Sequence, residues 1–276
     1  MKPYNRLYFI TMLAGLIGHL LHKMQWASAY DKETELFRPG APMTFLLFGF
    51  LALSAVFVLL GTRSLKLPAP GPRCCLSFEP AAPTLYKVLM AASGIFFLVG
   101  GVFGLLQGYR QLQEWRYDPS SMLLTLPMAV LICSVLCFPA GLSTLLLCKN
   151  NTRGVESPYN SLFVVFPPLV GVVFLFATHM EHATDPVLMG YGMELAAIML
   201  LTIALYDMAG MYHNNPHPRR MLLCSLLGYI LGASSEFPSG SVLQIAVMAA
   251  LIFSVYAQSF AYFAPQSSPS QAAEEI

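Results

Sequence analysis

Apolar stretches recur along the chain, and the charged residues fall mostly in the gaps between them. A helix rises about 1.5 Å per residue and the hydrocarbon core of a bilayer is about 30 Å thick, so about 20 apolar residues cross it. By this measure the pattern predicts eight spans, at about 7–24, 42–60, 85–108, 122–148, 161–178, 186–211, 221–237 and 242–263. The expected fold class is all-α, a polytopic membrane helical bundle in contact with the lipid bilayer, with 1–263 as a single transmembrane domain. Residues 264–276 carry Pro, Ser, Gln and Glu and read as a disordered C-terminal tail. The seventh span ends in the polar run Ser234, Ser235, Glu236, so the pattern leaves open whether it crosses fully or re-enters.

Orientation follows from the cations, because cytoplasmic loops are enriched in Lys and Arg. With the N-terminus inside, ten of the fifteen fall on the inner side: Lys2, Arg6, Arg63, Lys66, Arg73, Lys87, Lys149, Arg153, Arg219 and Arg220. Both termini are then cytoplasmic. Trp26 and Trp115 fall together on the outer face with Tyr30, Tyr109 and Tyr117, as an interfacial aromatic belt requires. The first span has a rival reading as a signal peptide, with Ala27-Ser28-Ala29 as the cleavage site. His19, His22 and Lys23 interrupt it where such a peptide should be most apolar.

Composition agrees with the pattern: 56% of the 276 residues are hydrophobic and 11% are charged, against about a quarter charged in soluble domains. A net charge of +1 leaves no basic footprint for a nucleic acid. No loop is long enough for a soluble domain, and the longest inner one carries Pro68, Pro70, Pro72, Pro80 and Pro83. The cysteines lie at inner or intramembrane positions (Cys74, Cys75, Cys133, Cys137, Cys148, Cys224), where a structural disulfide is not expected.

Breakers and small residues indicate packing. Gly100, Gly104 and Gly108 lay three glycines on one face of the third span, and Gly228 and Gly232 repeat the spacing in the seventh. Such faces admit a neighbouring backbone, either within the bundle or across a contact with a second copy or a membrane partner subunit. Pro127 and Pro139 in the fourth span, and Pro167 and Pro168 in the fifth, predict kinks.

Ionisable residues inside a membrane are costly, which makes them candidates for function. His19 and His22 lie on the outer half of the first span; His179, Glu181 and His182 close the fifth, with Asp185 beyond; Glu194 lies inside the sixth; Glu236 ends the seventh. Each pair, His19 with His22 and His179 with His182, is spaced to share one helix face. Imidazoles beside carboxylates suit zinc or another transition metal. The set Glu194, His19, His22 and Glu181 equally suits a substrate or proton path, since histidine titrates near neutrality. On the inner side Asp207 faces Arg219 and Arg220, while His213 and His217 flank a turn at Asn214-Asn215-Pro216.

The leading functional expectation is a permease-like or transport-associated component for a small solute or ion, multi-pass in a plasma or inner membrane. One rival is a metal-dependent intramembrane hydrolase with Glu181 or Glu194 as general base. The other is a noncatalytic sensor or assembly subunit. No nucleophile elbow, His-Glu-x-x-His helix or phosphate-binding loop is present to favour an enzyme.

Overall fold

The structure, a computed structural model, describes residues 3–31, 36–38, 40–65, 84–120, 122–153, 157–182, 188–235 and 241–263. The expectations for Asp185, Glu236, Cys74, Cys75, the Pro-rich inner loop and the C-terminal tail fall outside these residues. Among those described, the chain forms α1 (Pro3–Ala29), a two-residue ladder β1 (Tyr30–Asp31) with β2 (Leu36–Phe37), α2 (Pro42–Ser64), α3 (Thr84–Tyr117) and α4 (Thr125–Arg153). There follow α5 (Asn160–Phe163), α6 (Phe166–Glu181), α7 (Leu188–Tyr212), α8 (Pro218–Ser234) and α9 (Val242–Phe263).

The chain is an all-α polytopic bundle. Seven segments are long and apolar enough to cross a membrane, α5 and α6 together making one of them. The remaining helix, α8, has 17 residues, about 25 Å at 1.5 Å per residue. Its neighbours show how it runs. Gly228 meets Leu201 and Gly232 meets Ala197 of α7, while Gly232 also meets Ile252 and Tyr229 meets Tyr256 of α9. Both sets of contacts are antiparallel, so α8 runs back along α7 and α9, with Arg220 against Asp207 of α7 at its start and Ser234 against His22 of α1 at its end.

The contacts of α3 with α4 and with α9 alternate in direction in the same way. Gly94 meets Leu145 and Gly108 meets Leu131 between α3 and α4, and Gly100 meets Val247 and Gly104 meets Leu243 between α3 and α9. The start of α1 and the end of α9 lie on one side of the bundle, where Tyr4 meets Phe263. The most enclosed of the long apolar helices is α9, which packs against α3, α4, α6, α7 and α8. The α1–α2 hairpin lies against α8. At its inner end α1 stacks Tyr4 on Phe263 and sets Tyr8 edge-on to Tyr256 and Phe260. These contacts make α1 a packed member of the bundle.

The structure departs from the predicted boundaries for identifiable reasons. Pro167 and Pro168 do not kink a continuous fifth span but divide it. Lacking N–H groups, they cannot bond back to Phe163 and Val164, and the helix restarts at Phe166 with the prolines in its first turn. Pro127 likewise occupies the first turn of α4, where an N–H has no partner to lose, so Pro139 alone lies in that helix's interior. The third span runs to Tyr117 instead of Gly108, carrying α3 about 13 Å further outward. The seventh begins at Pro218, three residues before the predicted start, and closes at Ser234.

On the inner side, buried Asp207 of α7 takes Arg220 of α8 in a two-pronged pair, Arg220 Nε lying 2.8 Å from Oδ2 and 3.1 Å from Oδ1. Of the two arginines facing Asp207 in the sequence, Arg220 is the one that binds it. Close by, Asn151 of α4 donates to the hydroxyls of Tyr86 on α3 (2.8 Å) and Tyr212 on α7 (3.3 Å). His213 holds the Ala209 carbonyl at 2.9 Å, and Asn214 turns the chain with φ 57°. The turn expected there is formed.

Candidate functional site

The α6–α7 seam is placed in register by two contacts. Near its inner part Gly171 lies directly against Thr202, and near its outer end the His182 ring stacks on Tyr191 at 4.8 Å and 6° between planes. The helices are antiparallel, so Glu194 stands level with the turn Thr178–His182. It is about 9 Å along α7 from Leu188, at 1.5 Å per residue.

Angular position then shows where the acids point. At about 100° per residue, Thr178 shares the α6 face of Gly171 and His182, whereas Glu181 is turned about 80° from it. Glu194 is turned about 80° from the α7 line through Thr202 and Tyr191. Because the helices are antiparallel, both turns go to the same side, toward α9. Two contacts agree: Gln244 Nε2 of α9 donates to Glu181 Oε2 at 2.7 Å, and Glu194 is within electrostatic reach of Glu181. The acids of α6 and α7 thus meet in front of α9.

Burial separates their roles. Glu181 is partly exposed at the end of α6, bonded to Gln244 and beside His182. Glu194 is 1% exposed, and its Oε1 is buried without a hydrogen-bond partner. Thr178 Oγ1, on a residue also 1% exposed, is in the same condition. Buried polar groups are almost always bonded, because leaving one unmade costs about 1–3 kcal/mol. Two such groups on facing helix turns define a polar locus with spare oxygen.

The histidines proposed as metal ligands do not assemble there. His22 is buried between α1 and α8, where its Nδ1 lies 2.7 Å from the Ser234 carbonyl and its Nε2 lies 3.0 Å from Trp26 Nε1. Indole only donates, so Nε2 accepts and the proton is on Nδ1. Both nitrogens of His22 are occupied, and ligation by either would break one of these bonds. His19 is half-buried on α1, His179 is exposed on α6, and His182 stacks on Tyr191. Among the described residues no group of three or more His, Cys, Asp or Glu side chains is placed to hold a metal ion.

His22 is instead a tie between helices, and its loss should be felt as a loss of stability. His22→Leu strands the Trp26 N–H and the Ser234 carbonyl at about 1–3 kcal/mol each. The variant should melt several degrees lower in detergent and shift Trp26 emission, with no change in bound metal. A wild-type melting temperature would show that the tie is not structural.

Two participants in the polar locus, Thr178 and Gln244, did not stand out in the sequence. Thr178 resembles any helix threonine that bonds its own backbone, as Thr11, Thr144 and Thr202 do. Gln244 carried a signal, since a primary amide near the start of a membrane-spanning run is expensive unless paired. The glycine faces lie inside the bundle. Gly100 and Gly104 face α9, with Gly104 also against Ser134 of α4; Gly108 faces α4; Gly228 and Gly232 face α7 and, for Gly232, α9 as well. Comparison with protein-family models, with curated proteins and with solved structures finds no match to this chain.

Proposed function

We propose that this multi-pass membrane protein is a permease-like or transport-associated component of the plasma or inner membrane, and that the α6–α7–α9 seam is where a small solute or ion first meets it. The observation that supports the reading is the Glu194 carboxyl group, buried without a partner at Oε1 beside a second carboxylate. Structural acids in this chain are treated differently: Asp207 is equally buried but is matched by Arg220. An ionisable group kept inside a membrane without such a match carries a cost that a purely structural role leaves unexplained. The metal-dependent hydrolase has less support, because among the described residues no three His, Cys, Asp or Glu side chains are grouped to hold a metal ion.

Proteoliposomes with a trapped pH-sensitive or sodium-sensitive dye test the proposal. Imposed proton or sodium gradients should dissipate faster than in protein-free vesicles, and Glu194→Gln should slow the protein-dependent rate at least about tenfold, the equivalent of about 1.4 kcal/mol. Rates equal to those of protein-free vesicles under both gradients would remove ion permeation from the reading.

A further inference from the structure

The outer seam holds more oxygen than its hydrogen bonds consume. Glu194 contributes an unpartnered carboxyl oxygen and Thr178 an unpartnered hydroxyl, both on side chains 99% buried, from facing turns of α7 and α6. Glu181 brings a second carboxylate to the same side of the seam, one of its oxygens held by the Gln244 amide. We infer that Glu194, Thr178 and Glu181 form a binding site for one dehydrated alkali cation. The inference deepens the permease reading and rests on it for its functional meaning.

The chemistry of the donors selects this class. All are hard oxygen ligands, which suit alkali and alkaline-earth ions over the softer metals that prefer imidazole or thiolate. Calcium takes about six to eight oxygens, and magnesium demands a near-octahedral shell that keeps several waters. Either would bring two positive charges to a locus where one of the two carboxylates already has an amide donor. Charge points the same way: Glu181 already has an amide donor and stands beside His182, leaving Glu194 as the carboxylate a single positive charge would match. A proton is the competing occupant. The titratable group within electrostatic reach of Glu194 is Glu181 of α6, which Gln244 of α9 holds in turn.

Thermal unfolding of the purified protein in detergent tests the site, with sodium, lithium or potassium chloride replacing choline chloride at constant ionic strength. A ligand bound only by the folded state raises the melting temperature with concentration. At least one alkali ion at about 150 mM should raise it by about 3 °C or more relative to choline. Glu194→Gln should abolish the shift, and Thr178→Val, which removes the hydroxyl at nearly constant shape, should at least halve it. The threonine variant carries the test if the glutamine variant does not fold. Equal melting in all four salts would overturn the proposal, and so would a full sodium shift in both variants. A shift produced by acidification and by no alkali ion would assign the site to a proton and overturn it as well. Stabilisation by a cation without vesicle flux would keep the site and remove permeation; flux without stabilisation would do the reverse.

Discussion

Leucine in place of Gly104 should destabilise the bundle more than leucine at any lipid-facing position. A β-carbon built at Gly104 would sit 2.8 Å from Leu243 Cδ1 of α9 and closer still to Ser134 Oγ of α4. Ser134 cannot easily swing aside, because its hydroxyl donates to the Val130 carbonyl at 2.6 Å and the side chain is fully buried. Relief requires α3 to move from α4 and α9 together, which loosens the most enclosed long helix of the bundle. Overpacking costs about 1–3 kcal/mol and sometimes more, and a triple-helix junction belongs at the upper end. Gly104→Leu should therefore melt about 6 °C or more below wild type in detergent. The control is Gly49→Leu, since a β-carbon at Gly49 meets nothing within 4 Å. Gly61 is a weaker control because its β-carbon would already touch Leu7 Cδ1 at 3.0 Å. Equal losses at Gly104 and Gly49 would show that the glycine face is not packed as described.

The second large effect lies at the inner end and is asymmetric. The Asp207 side chain is 0% exposed and that of Arg220 is 51% exposed. Arg220→Ala leaves a carboxylate buried with no counter-charge, a loss of about 3–5 kcal/mol for a broken buried pair. Asp207→Ala leaves an arginine whose side chain is already half exposed and can turn its charge to solvent, so the loss should be about 1 kcal/mol. The double variant should recover most of the stability lost in Arg220→Ala. Melting or denaturant curves of the three proteins provide the measurement. Similar losses from the two single variants would mean that Asp207 reaches water by another route.

How much of the candidate site was legible follows from which interactions each residue makes. Glu194 stood out because a carboxylate inside an apolar run is rare whatever surrounds it, and burial without a partner is the condition that rarity anticipates. His22 stood out for the same reason but acts differently. Its two nitrogens are taken up by Trp26, four residues away, and by Ser234, 212 residues away. The first contact is local and readable from an i, i+4 spacing; the second depends on which helix lies beside α1. The pairing of Glu181 with Gln244 likewise spans 63 residues, and no periodicity encodes it.

The sequence by itself determined the membrane class and the succession of apolar helices. Each follows from the cost of placing backbone and charge in hydrocarbon, which acts on every segment separately. It also marked Gly104 and Asp207 as residues with structural work to do, because a glycine face in an apolar helix admits a close neighbour and a charge within one needs a partner. Tertiary structure decided what those residues work against: Gly104 against Ser134 and Leu243, Asp207 against Arg220 and not Arg219. It tied His22 to Ser234, divided the fifth span ahead of its two prolines and drew Gln244 to Glu181. The physical reason is that lipid is as apolar as leucine, so hydropathy sets which helices enter the membrane but scarcely distinguishes one neighbour from another. Neighbours are chosen by close packing of glycine against facing side chains and by the few polar groups that must find partners, and both depend on the positions of all the helices at once.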